Sequence, residues 1–492
     1  TRFELSGGAN GVGVQVGQEQ ADALLRGNLT ATLDARREGE TIDLTRLDLS
    51  SDLLNLSASG GLSADGGNVD LNARLADVAP FAPEFSGPAT VTGTLRQNGG
   101  EGYELDLSAN GPGGTRVLTQ GRVASDFQTV DLDLTGQAPL NAANSYISPR
   151  ALTGTADFQL SVDGKPGLDA VRGQVTSRNA RFIDTTLGLV LNQLSLDASL
   201  GGARAEIELN ANVENGGRIS VKGPIGLTAP FTSELVTSLD RIVLRDARLF
   251  ETRMTGNVAI VGPLAGGARI TGDLALGETN IRIPSTGIGG TGDIPEIVHL
   301  NEPPPVRGTR RRAGLLEGAD QGGNGTGPTY PLDVRISAPN QIFIRGRGLD
   351  SELGGDLRIS GTTKNVVPIG AFNLVRGRLD ILGRRMTLEE ATATIQGSFL
   401  PSVRIIAVTQ TDEYTILVTV SGPVDDPEII FSSEPDLPQE EVLARLIFGR
   451  GLETLSPVQA ARLALAVRTL AGRGGEGVVG NIRQGTGLAD LD

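Results

Sequence analysis

The chain has 492 residues, with 43 Lys and Arg against 58 Asp and Glu and a formal charge of −15; that balance repels a phosphate backbone and excludes nucleic acid as a partner. There is no Cys and no Trp, aromatic residues make up 3%, and Gly numbers 68, which excludes disulfides and thiolate metal sites and leaves aliphatic side chains to form the apolar surface. No apolar run is long enough to cross a bilayer as a helix, and a chain that starts at Thr1 and stops at Asp492 reads as a piece of a longer protein.

From residue 1 to 283 the dominant signal is period-two alternation. Tyr103-Glu104-Leu105-Asp106-Leu107, Val130-Asp131-Leu132-Asp133-Leu134 and Glu206-Ile207-Glu208-Leu209-Asn210 all alternate. Successive strand side chains point to opposite faces, so one face is aliphatic and the other polar. This pattern predicts antiparallel sheet with one wet face, since buried parallel strands read as continuous apolar runs. A phrase of Gly flanked by polar residues recurs at Thr92-Gly93-Thr94, Thr153-Gly154-Thr155, Thr255-Gly256-Asn257, Thr271-Gly272-Asp273 and Gly354-Gly355-Asp356, and is expected to precede strands. Asn98-Gly99, Asp163-Gly164 and Asn215-Gly216 are expected to close hairpins. The spacing predicts on the order of 20–25 strands at ~4.8 Å each, an object roughly 100 Å long.

Residues 284–329 interrupt the pattern with Pro303-Pro304-Pro305, Arg310-Arg311-Arg312 and Gly322-Gly323-Asn324-Gly325, and read as a loop or linker. Strands are expected again over 330–432, from Leu332 to about Phe431. Two helices are expected over 433–472. The first, 437–448, has Pro438 near its start, Glu440 and Glu441 in its first turn and Gly449 past its end, as the macrodipole and a left-handed cap require. The second opens on the capping box Ser456-Pro457-Val458-Gln459 and runs to about Leu470. A Gly-rich tail, 473–492, follows.

Catalytic chemistry finds no footing in these residues. The one His, His299, falls in the linker, where a fixed imidazole is not expected. The GxGxxG matches at 287–292 and 472–477 lack a βαβ setting. The acidic pairs Glu389-Glu390, Asp425-Asp426 and Glu440-Glu441 fit turns and caps, and no calcium-loop spacing surrounds them. Arg310–Arg312 reads as solvated linker. No enzyme, cofactor or metal site is predicted.

The stretches RGRGLDSELGGDL (345–357) and GAFNLVRGRLDILGRRMTLEEATATIQGSFLP (370–401), and the helix ending LPQEEVLARLIFGR, carry a specific resemblance. So does the series Ser432-Ser433, Pro435, Leu437-Pro438, Glu441, Phe448-Gly449-Arg450 and Leu455-Ser456-Pro457. These stretches resemble the C-terminal domain of the TamB family. TamB proteins are AsmA-like bridge proteins and inner-membrane subunits of the translocation and assembly module in Gram-negative bacteria. The resemblance is dense from Tyr330 to Leu470 and upstream rests on the strand pattern alone.

The resemblance implies a β-taco, a long curved antiparallel sheet with a U-shaped hydrophobic groove and two short helices near its C-terminal end. It implies a periplasmic bridge anchored in the inner membrane by a helix outside this chain, working with a TamA-like outer-membrane barrel. Its implied role is phospholipid transport together with assembly of outer-membrane protein clients, autotransporters included. Phospholipid acyl chains would lie on the groove floor. Alternation assigns that floor, in the well-matched region, to Phe372 and Leu374, Leu379 and Ile381, Met386 and Leu388, and Ile395. It continues through Val403 and Ile405, then Ile416, Val418 and Val420. The upstream equivalents are Leu105 and Leu107, Leu132 and Leu134, and Ile207 and Leu209. On this reading, arginine at Ile416 and Val418 removes lipid contact and leaves the fold intact. The helices either cap and gate the groove or only pack against it. The rival class is a surface or secreted β-solenoid adhesin, with parallel stacking and no lipid.

Overall fold

The structure is a computed structural model that describes residues 2–15, 17, 19–38, 41–63, 66–80, 86–97, 102–185, 187–246, 249–283, 328–381, 384–411, 413–459 and 463. Among these residues lie 25 strands, from Arg2–Val12 to Glu428–Glu434. The expected fold class holds: the chain is mainly β and built on open antiparallel ladders. It falls into two compact units, Thr1–Ser238 with Val261–Ala265, and Leu239–Ile260 with Gly266–Asp492.

In the first unit the strands pair antiparallel, mostly with their sequence neighbours; the exceptions are Ala151–Thr153, which pairs with Val171–Asp184, and Val130–Pro139, which pairs with Thr155–Gly164. Cross-strand partners set the side chains in rows on one face. One row runs Val69, Leu95, Leu105, Gly121, Leu132, Val162. The next runs Leu71, Gly93, Leu107, Thr119, Leu134, Leu160, Gly173. Gly154 directly precedes the strand Thr155–Gly164, as the sequence suggested, but the other polar-flanked glycines lie inside strands. Gly93 lies inside Ala89–Gln97, Gly256 inside Phe250–Pro263 and Gly355 inside Leu349–Thr362.

Two of the row glycines show why. Gly121 and Gly173 take φ of 136° and 124°, a region closed to residues with a side chain. A Cβ added there would overlap the neighbouring strand's backbone, at the carbonyl oxygens of Asp131 and Gln159. Gly121→Ala is therefore expected to destabilise the first unit by about 2 kcal/mol or more, read as a lowered thermal midpoint; an unchanged midpoint contradicts this packing.

Asn215-Gly216 closes its hairpin as expected, with the Gly216 N–H donating to the Val213 carbonyl at 2.9 Å. Asn98-Gly99 lies outside the described residues. Two short helices that sequence did not indicate, Glu19–Leu24 and Asn144–Ile147, also occur in this unit.

In the second unit one pairing departs from the antiparallel rule: Arg269–Arg282 lies parallel to Pro331–Gly346. A tight hairpin cannot join parallel neighbours. The Pro-, Arg- and Gly-rich interruption falls between these two strands in sequence. From Pro331 the strands run antiparallel to Glu434.

Bulges shift the alternation within these strands. Register slips at Glu352/Leu353 and at Leu388/Glu390 move the apolar parity by one residue. Phe372 and Leu374 thereby share a face with Leu379 and Ile381, and Met386 and Leu388 share one with Ile395.

The helix Gln439–Phe448 ends at Gly449, whose φ of 67° and N–H bond to the Arg445 carbonyl form the expected left-handed cap. The capping box is also present. The Ser456 N–H donates to the Gln459 side chain at 2.9 Å, and the Gln459 N–H to the Ser456 hydroxyl at 3.3 Å. The rest of that helix lies outside the described residues, apart from buried Leu463.

Candidate functional site

The aliphatic face differs between the two units. In the first, Leu105, Leu107, Leu132 and Leu134 come together in the two rows described above, and every member of those rows is half-buried. No row member carries a charge. Ile207 and Leu209 also stay half-buried, Ile207 opposite Ala198 and Gly223, and Leu209 opposite Leu196 and Val221. Val69, Leu71, Leu95, Leu160 and Val162 complete this surface and were missed from sequence. The alternation Val69-Asp70-Leu71-Asn72 would have found the first two.

The second unit closes the same kind of face. Three rows cross it: Leu349, Leu379, Met386; Leu388, Ala407, Val418, Phe431; and Ala391, Ile405, Val420, Ile429. The helix Gln439–Phe448 lies over them, placing Val442, Leu443 and Leu446 in one cluster with Met386, Leu388, Ile416 and Val418. Met386 is 0% exposed, Ile416 and Val418 1%, and Leu443 1%. Leu379, Ile381 and Val420 pack at the margin of this cluster. Phe372, with Leu374 and Ile405, packs on a neighbouring one around Ile342 and Leu353. Ile395 and Val403 are half-buried opposite Gly370 and Ala393.

Side chains tie the helix to the sheet and to its own flanks. The Arg445 guanidinium donates to Glu441 at 2.7 Å and sits 4.4 Å over the Tyr414 ring. It also lies 3.8 Å from Glu413. The second oxygen of Glu441 accepts the Leu452 N–H at 2.8 Å. Arg384 lies against Gly449, at the negative end of the helix dipole.

The opposite face is polar and laced with ion pairs. In the first unit Lys222 meets Glu208 at 2.7 Å and Arg178 meets Asp197 at 2.8 Å. In the second, Arg358 meets Asp333 at 2.8 Å, Arg376 meets Glu352 at 2.7 Å and Arg404 meets Glu390 at 3.1 Å. The hydrogen bonds from Arg178, Lys222, Arg358 and Arg376 hold the Asp197, Glu208, Asp333 and Glu352 carboxyls below the ordinary carboxylate range. A depressed carboxyl stabilises the fold above its unfolded pKa, and that contribution is lost as pH falls through the folded value. The thermal midpoint is therefore expected to drop as pH is lowered below about 4, and to drop less steeply in Arg358→Gln. An acid profile identical in that variant contradicts the assignment.

Two of the acidic pairs sit where turns and caps were expected: the Asp426 N–H donates to the Pro423 carbonyl at 3.1 Å, and Glu440 and Glu441 occupy the first helical turn. The third does not, since Glu389 and Glu390 lie inside the strand Arg384–Gln396, Glu389 at a bulge. His299, Arg310–Arg312 and both GxGxxG matches lie outside the described residues. Among the described residues, no group of His, Cys, Asp or Glu is arranged to hold a metal ion.

Open antiparallel ladders with one uncharged aliphatic face and one ion-paired face define a class of sheet protein. Such a protein keeps an apolar surface without closing into a barrel or sandwich. The chain belongs to the TamB family, whose C-terminal domain matches residues 206–492, more than half of its length. It is also similar to the translocation and assembly module subunit TamB of Haemophilus influenzae, 23% identical over 76% of this chain and 30% of the relative. The chain thus spans about 30% of the length of that relative.

Proposed function

We propose that the chain is part of a periplasmic bridge that carries phospholipid acyl chains along its aliphatic sheet face from inner to outer membrane. It would do so within a translocation and assembly module, beside a TamA-like outer-membrane barrel, and would support assembly of outer-membrane proteins. The observation that carries this reading is the half-buried, uncharged pair of rows from Val69 and Leu71 to Val162 and Gly173 in the first unit. A face meant only as a core would be covered, as its counterpart in the second unit is.

The proposed passage needs no catalysis. Each acyl CH₂ withdrawn from water is worth ~0.8 kcal/mol. Neighbouring strands repeat the same aliphatic rows, so this energy changes little from one strand to the next, and a chain can shift along the rows without crossing a high barrier. Charged headgroups would stay in water. A β-solenoid adhesin is disfavoured, because its strands stack parallel and these pair antiparallel.

Photocrosslinking tests the reading. A benzophenone amino acid at Leu107, on the row face, is expected to capture phospholipid in a Gram-negative host. The same probe at Leu118, which is 54% exposed and alternates onto the opposite face, is expected not to. Equal capture at both positions would remove the face assignment, and no capture at either would remove lipid carriage.

A further inference from the structure

We infer that the helix Gln439–Phe448 is a displaceable occupant of the acyl-binding face of the second unit, which takes lipid only when the helix is undocked. This inference rests on the acyl-carriage reading above. In sequence the face beneath the helix is the same kind of surface as the half-buried face of the first unit. The difference is its cover. Val442, Leu443 and Leu446 lie on Met386, Leu388, Ile416 and Val418, an aliphatic load resembling an acyl chain in size and chemistry.

Two features suit the helix to leave. It has ten residues, too few for an isolated helix to be stable in water, so it exists by docking. It is also hung between conformational breaks, Pro435 and Pro438 before it and Gly449 and Gly451 after it. Beside its buried apolar stripe, the helix is held by a polar catch at its edge. Arg445, 27% exposed at its side chain, joins Glu441 and Glu413 and covers the Tyr414 ring, while Arg384 lies against the far end at Gly449. A catch of this kind can open without first breaking the apolar sheet beneath. An acyl chain arriving along the face would then compete with the helix for one surface.

The test uses a phospholipid carrying a diazirine in its acyl chain, incubated with the full chain, photolysed and mapped by mass spectrometry of the labelled peptides. In the unaltered protein, label is expected around 103–110 and 130–139, with little at 416–420. In Glu441→Gln with Arg445→Gln, and separately in Arg384→Gln, label at 416–420 is expected to rise at least fivefold. Hydrogen exchange of the 439–448 amides should accelerate in parallel, with the β-sheet signal in circular dichroism unchanged. Faster exchange without new label at 416–420 would overturn the inference, as would strong label there before any substitution. Absence of label at 103–139 as well would instead count against acyl carriage itself.

Discussion

Arginine at Ile416 and Val418 is expected to expel the helix Gln439–Phe448 and strongly destabilise the C-terminal sheet. Sequence alternation placed both on an open groove floor, where a charge would reach water and the fold would survive. The structure puts each at 1% exposure beneath the helix Gln439–Phe448. While the helix is docked, a guanidinium there has no carboxylate partner within the cluster and no path to solvent, because Leu443 and Leu446 lie above it. An unpaired buried charge costs several kcal/mol, and two on one face exceed about 5 kcal/mol, beyond what most single domains can lose. Denaturant unfolding followed by circular dichroism should show the transition of the second unit moved to much lower denaturant. A double variant as stable as the parent would mean that the helix does not cover this face in solution.

The paired substitution in the first unit should behave in the opposite way. Leu107 and Leu134 lie in one row, separated by Thr119, and both are half-buried. Their replacements can snorkel to water along the open face, so the expected loss of stability is about 1–2 kcal/mol for the pair. The expected loss of acyl binding is nearly complete, because two fixed charges then interrupt an otherwise uncharged surface. Stability and lipid content measured on Leu107→Arg/Leu134→Arg should therefore separate. If both fall together, the face is a structural core and its half-burial carries no function.

These two predictions mark what sequence could and could not reveal. Period two identified the strands, and the polar–apolar split of Leu105 and Leu107 against Glu104 and Asp106 identified the two faces. Capping chemistry located the helix Gln439–Phe448 because Pro438, Glu441 and Gly449 are local signals. The bulges at Glu352/Leu353 and Leu388/Glu390 were not legible, since an added residue in a strand leaves no trace in composition. The parity change between Leu374 and Leu379 was visible only as a break in alternation. The cover over Ile416 and Val418 was also hidden. An amphipathic helix announces that it packs, yet nothing in Val442-Leu443 says on which strands. The parallel pair Arg269–Arg282 and Pro331–Gly346 was hidden for a similar reason: direction is a property of the partner, and the interruption between the strands is compatible with either.

The most direct measurement is the lipid content of the chain purified without detergent from a Gram-negative host, by native mass spectrometry with extraction of whatever co-purifies. Acyl carriage predicts bound phospholipid in the unaltered protein and its loss in Leu107→Arg/Leu134→Arg, with the fold retained in both. A folded, monodisperse chain free of lipid would contradict it, and the aliphatic face of the first unit would then be sheet packing in a scaffold for outer-membrane protein assembly.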